Sequence, residues 1–113
     1  MAETGTDILK AAALLKQGEV VAIPTETVYG LAANALDISA VNKIFRVKGR
    51  PSSNPLIIHI ANRLMLEKYV THVPSILDPL ISKYWPGPLT ILLNKSDCIP
   101  NEVNAGLSKV AVR

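Results

Sequence analysis

Two short stretches of the chain hold residue types able to hold a ligand, the first a small anion and the second a polar group. Lys48-Gly49-Arg50 sets two cations around a glycine, and Pro24-Thr25-Glu26-Thr27-Val28-Tyr29-Gly30 sets two hydroxyls around a carboxylate. An Arg offers a planar fork and a Lys a point charge, so the pair suits a phosphate, a carboxylate or bicarbonate. If the backbone extends through Gly49, both cations project to one side, as Thr25 and Thr27 do in an extended segment. Each stretch also has a plain structural reading. Lys48 stands where a helix C-terminus favours a cation, which leaves Arg50 less easily accounted for. Thr25 and Glu26 can satisfy loop backbone groups while Gly30 supplies a left-handed turn. His59 sits in the apolar run Leu56-Ile57-Ile58-His59-Ile60, where a hydrogen-bonded core histidine is the commoner case. Ser52-Ser53-Asn54-Pro55 is turn chemistry, and Trp85-Pro86-Gly87-Pro88 makes a rigid corner.

Charge is distributed unevenly. No acid falls between Asp37 and Glu67, while Lys43, Arg46, Lys48, Arg50 and Arg63 all do. This stretch is an anion-site candidate, the alternative being a solvated basic helix face. The net charge of +3 is too mild to indicate nucleic-acid binding by itself. There is no G-x-x-x-x-G-K-[ST] loop and no G-x-G-x-x-G, so a nucleotide would rest on side-chain cations and loops. No serine or cysteine triad signature occurs. Cys98 is the one cysteine and the two histidines are scattered, so neither an internal disulfide nor a protein metal site is expected. No apolar run approaches a membrane span, and the start Met1-Ala2-Glu3-Thr4 lacks the basic residues of a signal peptide. The expectation is a soluble protein of the reducing cytoplasm with no membrane contact.

The elements that must position these residues follow from periodicity. A chain of 113 residues fits one domain, able to bury roughly two-thirds of its unfolded surface. With 49% hydrophobic, 19% charged and 4% aromatic residues, it reads as globular with an aliphatic core. Apolar Ile8, Leu9, Ala12 and Leu15 predict a helix over 6–17, capped by Thr4 or Thr6 and ended by Gly18. Residues 20–23 read as a strand cut off by Pro24, with a loop after it. Asp37 or Ser39 caps a second helix carrying Val41, Ile44 and Phe45, which stops at Gly49 and Pro51. Leu56 to Ile60 reads as a strand, Asn62 caps a helix over 64–69, and Pro74 opens another towards Tyr84. Strands are expected at 89–93 and from Val110 to Arg113. The pattern predicts an α/β or α+β fold, a twisted mixed sheet flanked by helices, without repeats or linkers. The final run, Lys109 to Arg113, has no turn or polar tail after it. A truncated domain with open, aggregation-prone sheet edges is therefore expected.

Four stretches, in order and spacing, resemble the YrdC-like threonylcarbamoyl-AMP synthase family. They are Thr25-Glu-Thr-Val-Tyr-Gly-Leu31, Ile44-Phe45 leading to Lys48-Gly-Arg-Pro51, Asn54-Pro-Leu-Ile-Ile-His59, and Trp85-Pro-Gly-Pro-Leu-Thr90. The likeness runs from about Gly18 to Arg113, so residues 1–113 are expected to form a partial YrdC-like domain. It implies an ATP-dependent enzyme that joins L-threonine, bicarbonate and ATP into threonylcarbamoyl-AMP and releases pyrophosphate, with Mg2+ accompanying the ATP. A separate transferase would then carry the threonylcarbamoyl group to the adenosine beside the tRNA anticodon. By the same resemblance Thr27, His59 and Arg113 hold threonine, and Lys48, Arg50, Asn54 and Lys109 face ATP, with Lys48 and Arg50 as the catalytic cations. The family pattern continues into a Ser-x-Asn segment that completes the nucleotide pocket, which these 113 residues do not contain. Two other functions fit the same residues: a non-catalytic fragment contacting tRNA or double-stranded RNA, and a carbamoyl-adenylate-forming maturation module that starts from carbamoyl phosphate.

Overall fold

Capping residues and apolar periodicity set most of the element boundaries, and this computed structural model describes residues 4–51 and 53–113. Ser52 of the expected turn, and Met1 to Glu3 of the chain start, lie outside the described residues. Helix α1 (Ile8–Lys16) begins at Asp7, whose carboxylate accepts from the Lys10 N–H at 3.2 Å. The cap is thus Asp7 rather than Thr4 or Thr6, because Asp7 stands directly before the first helical residue. Of the expected apolar stripe, Ile8 and Leu9 point to solvent, whereas Ala12 and Leu15 are half-buried. Strands β1 (Val21–Pro24) and β2 (Tyr29–Ala32) then form an antiparallel hairpin, with Ile23 paired to Gly30 and Pro24 to Tyr29. The sequence predicted β1 one residue early and read β2 as loop. Pro24 ends its strand without breaking it, since a proline is tolerated where no ladder N–H is needed.

Helix α2 (Ile38–Lys48) is the most regular element. Asp37 caps it by accepting from the Ala40 N–H at 3.2 Å, and Ala40, Val41, Ile44 and Phe45 form its buried stripe. Gly49 ends it in the left-handed region at φ 62°, ψ 23°. Strand β3 is only Ile57–Ile58, shorter than the apolar run 56–60 suggested. Asn62 caps a 3-10 turn, Arg63–Met65, that runs into α3 (Leu66–Tyr69). Pro74 likewise precedes a 3-10 turn, Ser75–Leu77, before α4 (Asp78–Tyr84). Strand β4 (Ile91–Asn94), helix α5 (Asn101–Asn104) and strand β5 (Lys109–Val112) complete the described elements. Helix α5 was not expected, because one turn of Asn101-Glu102-Val103-Asn104 has too little periodicity to register.

The fold is α+β with a mixed sheet, as predicted, but its strands fall into two sheets. The hairpin is separate, and the second sheet has the order β3-β5-β4, parallel between β3 and β5 and antiparallel between β5 and β4. Alternation in that sheet sends Ile91, Leu93, Val110 and Val112 to one face, where they meet Val41, Phe45, Leu66, Ile81 and Val103 of the helices. This aliphatic cluster is the core, and Leu66 and Val112 are wholly buried in it. Among the described residues no helix is long and apolar enough to cross a membrane.

Among the described residues, Asn104 is the buried polar residue of this packing. Asn104, 1% exposed, donates to the Leu107 and Lys109 carbonyls at 2.6 and 2.8 Å and accepts from Lys95 Nζ at 3.0 Å. It closes the path from α5 into β5, so its full hydrogen bonding matters to the central strand. Asn104→Ala is expected to lower unfolding free energy by about 2 kcal/mol, since it removes a buried amide that donates to two partly buried carbonyls. A shift in the urea midpoint at unchanged slope checks this.

Candidate functional site

The register of the three-stranded sheet lines up three side chains along one edge. Ile58 pairs with Val112 in the parallel ladder and Ile91 pairs with Val112 in the antiparallel one. The next step along each strand therefore sets His59, Arg113 and Thr90 side by side, with Arg113 in the middle. Two further backbone bonds carry the parallel ladder past the named strands: Arg113 N–H to the Ile58 carbonyl at 2.8 Å, and Ile60 N–H to the Arg113 carbonyl at 3.0 Å. His59 and Arg113 thus stand at the carboxyl ends of parallel strands, where open sheets usually receive ligands.

The Arg113 side chain is held at two points. Nε donates to Thr90 Oγ1 at 2.9 Å, and Nη1 donates to Glu26 Oε1 at 3.1 Å. Glu26 comes from the hairpin loop, so this ion pair ties the hairpin to the end of β5 across 87 residues of sequence. The Glu26 carboxyl titrates below the ordinary glutamate range. The largest cause is a hydrogen bond from its own backbone N–H; desolvation opposes the shift, while Arg113 and, less strongly, His59 reinforce it. Within the loop, Thr25 Oγ1 donates to the Val28 carbonyl and accepts from the Thr27 and Val28 N–H groups at 3.3 and 3.2 Å. Thr25 therefore builds the turn that carries Glu26.

Two cavities meet at His59. One, of about 460 Å3, is lined by Glu26, His59, Asn62, Arg63, Trp85 and Arg113. Its wall at Trp85 is kept rigid by a Trp85 Nε1 bond to the Leu89 carbonyl at 2.8 Å. Gly87 is required beside it, because a Cβ there would lie 2.5 Å from the Tyr84 carbonyl oxygen. The other cavity, of about 640 Å3, is bounded by α1, the hairpin, α2 and β3, with Ile23, Leu31, Ile44, Arg50 and Leu56 among its lining. Arg50 donates through Nη2 to the Pro55 carbonyl at 2.8 Å, while its buried Nε has no partner among the described residues. The Arg50 side chain thus lines this cavity with one buried N–H unsatisfied among the described residues. Among the described residues no group of three or more His, Cys, Asp or Glu side chains is placed to hold a metal ion.

The structure brings only some of the expected residues together. His59 and Arg113 share the first cavity, and Arg50 and His59 the second. His59 is exposed rather than in the core, because alternation along the strand turns it to the face opposite the buried Ile58. Lys48 is exposed in the last turn of α2 and lines neither cavity. The expected alignment of Lys48 with Arg50 fails because Gly49 is left-handed, not extended. Arg50 N–H folds back to the Phe45 carbonyl at 3.0 Å as a helix C-cap does. Thr27 is exposed at the hairpin tip, its hydroxyl 3.3 Å from that of Thr25, so those hydroxyls do converge, but in a turn. Asn54 is exposed in its turn, with its N–H on the Pro51 carbonyl at 3.0 Å. Lys109 opens β5 at the end opposite Arg113, a strand length of roughly 13 Å away. Sequence reasoning passed over Glu26 as a loop residue and did not single out Thr90. The one available signal for Glu26 was a carboxylate set between two threonines directly after a strand.

The chain is an α+β domain with two adjoining cavities and an arginine and a histidine at the strand ends. Its residues 13–113 match the Sua5–YciO–YrdC family, described as "telomere recombination", and the chain belongs to that family. It is 52% identical over 103 residues to a threonylcarbamoyl-AMP synthase of Pyrococcus abyssi, covering 91% of this chain and 30% of that protein. A threonylcarbamoyl-AMP synthase of Bacillus subtilis is likewise 52% identical, over 107 residues, 94% of this chain and 31% of that protein. The crystal structure of P. abyssi Sua5 complexed with L-threonine superposes with a TM-score of 0.89 at 52% identity, covering 92% of this chain and 31% of that one. The chain thus spans about a third of the length of these relatives.

The Glu26 tether has a pH signature. A depressed carboxyl stabilises the docked hairpin above the ordinary glutamate value, and that contribution is lost as pH falls through the depressed one. Nuclear magnetic resonance titration should find the Glu26 midpoint below 4.5. In Arg113→Ala it should rise only part of the way, since the backbone bond is the larger cause. Full return to 4.5 would assign the whole effect to Arg113 instead.

Proposed function

We propose that this domain forms one wall of an enzyme that makes threonylcarbamoyl-AMP from L-threonine, bicarbonate and ATP. The observation that carries the reading is the pairing of His59 with Arg113 at one sheet edge, beside a second cavity that holds the Arg50 guanidinium. Support also comes from the relatives named threonylcarbamoyl-AMP synthase and from the threonine-bound P. abyssi structure.

In this reading threonine lies in the smaller cavity, its carboxylate on Arg113 and its hydroxyl or amine near His59. ATP lies in the larger cavity with its phosphates towards Arg50, and Mg2+ arrives with the nucleotide. The threonine amine takes up bicarbonate with loss of water, giving a carbamate. A carbamate oxygen then attacks the α-phosphorus, the bond from that phosphorus to the bridging oxygen breaks, and pyrophosphate leaves. No covalent enzyme intermediate is needed. The chain's part is to neutralise and align three anionic reactants, the kind of preorganisation that lowers a barrier most where water is excluded. Lys48, Thr27, Asn54 and Lys109 would join only through loop closure or a longer reach. A product that feeds tRNA modification by a separate transferase belongs in the cytoplasm.

The full-length protein should release pyrophosphate only when threonine and bicarbonate are both present, and carbamoyl phosphate should not replace them. The reverse preference would favour the carbamoyl-adenylate reading. Arg50→Ala should cut turnover by about a hundredfold or more, as loss of a charge-stabilising donor does. Lys48→Ala, at an exposed helix end, should cost less than about tenfold. Arg113→Lys should raise the threonine KM by about tenfold or more with little change for ATP, because an ammonium cannot reproduce the fork.

A further inference from the structure

We propose that Glu26 and Thr90 are positioning residues that fix the plane of the Arg113 guanidinium and leave its Nη2 group for the carboxylate of an amino-acid substrate. The inference rests on the reading of the smaller cavity as the amino-acid site. Its own basis is the geometry around Arg113. Thr90 accepts from Nε at 2.9 Å and Glu26 accepts from Nη1 at 3.1 Å, so the guanidinium is held at two of its three nitrogens. Nη2 forms no hydrogen bond among the described residues, and both of its N–H groups remain for a ligand.

The two holders arrive from different directions. Thr90 is supplied by the antiparallel neighbour of β5 through the sheet register, and Glu26 by the hairpin loop that Thr25 organises. Together they restrict rotation about the last bonds of a long side chain that would otherwise sample many rotamers. The Arg113 and Glu26 side chains are 19% and 28% exposed, so neither moves freely in solvent. Glu26 makes a single-oxygen contact on one nitrogen, whereas a carboxylate standing in for the substrate would take two parallel N–H groups.

The test uses the full-length protein with Glu26→Ala, Glu26→Gln, Thr90→Val and Thr90→Ser. Positioning predicts that Glu26→Ala and Thr90→Val each raise the threonine KM by about tenfold, the lower end for losing a hydrogen bond to a charged group, with kcat and the ATP KM within about twofold. Glu26→Gln and Thr90→Ser, which keep an acceptor oxygen, should restore threonine KM to within about threefold of wild type. A second readout does not depend on activity: the 15N–1H signal of Arg113 Nε, identified by its loss in Arg113→Lys, should be sharp in wild type and broaden in Glu26→Ala and Thr90→Val. Tighter threonine binding in both Glu26 variants would mean that Glu26 competes with substrate, and would overturn the proposal. So would parallel losses in kcat, both KM values and thermal stability, or an Arg113 signal unchanged by the variants. A wild-type protein with a sharp, variant-sensitive Arg113 signal but no response to threonine would instead refute the assigned substrate while leaving the positioning of Arg113 standing.

Discussion

Everything in the candidate site depends on β5 pairing with strands on both of its sides. A parallel partner contributes the residue after β3 and an antiparallel partner the residue before β4, and only the shared neighbour Val112 makes these two meet. A slip of one residue in either ladder would turn every side chain of that strand to the other face. His59, Arg113 and Thr90 would then no longer form a row. Register is protected by burial, since Ile91, Leu93, Val110 and Val112 all need the same face. Asn104 adds a polar lock at the far end, where its amide holds the carbonyls at which the chain enters β5.

The electrostatics of the site follow from that frame. Arg50, His59, Arg63 and Arg113 face two adjoining cavities, and Glu26 is the one acid among the residues lining the smaller cavity. Arg63 is paired with Asp78 at 2.6 Å, so Arg113 is the guanidinium of the smaller cavity that Glu26 compensates. The Glu26 carboxylate held on Arg113 fixes the direction of that guanidinium. Its cost is part of the attraction available to an incoming anion, which Arg50 can supply from the adjoining cavity. The hairpin is drawn into the site through the same contact, so a loop distant in sequence becomes part of the wall.

Much of the architecture was legible from local rules. Asp37, Asn62 and Gly49 stand where helix starts and stops require them, and the branched residues of β1, β4 and β5 mark strands. The failures have particular causes. Strand β2 is Tyr29-Gly30-Leu31-Ala32, poor in branched residues and interrupted by glycine, so only its pairing with β1 makes it a strand. The helices expected at 64–69 and after Pro74 begin as 3-10 turns, because each starts within two residues of a tight loop. The extended reading of Lys48-Gly49-Arg50 ignored that a helix end pulls its glycine into a left-handed cap.

The sequence by itself determined the aliphatic core and the family, since these rest on residue types and spacing over short range. Arg50, His59 and Arg113 were named from it, and the structure places all three at cavity walls. Only the tertiary structure decided that His59 lies outside the core, that Lys48 and Lys109 stand apart from the others, and that Glu26 reaches Arg113. The reason is physical. A cap or a period is set by neighbours within a few residues, whereas the Glu26 contact spans 87 residues and exists only once β5 is paired and the hairpin is folded.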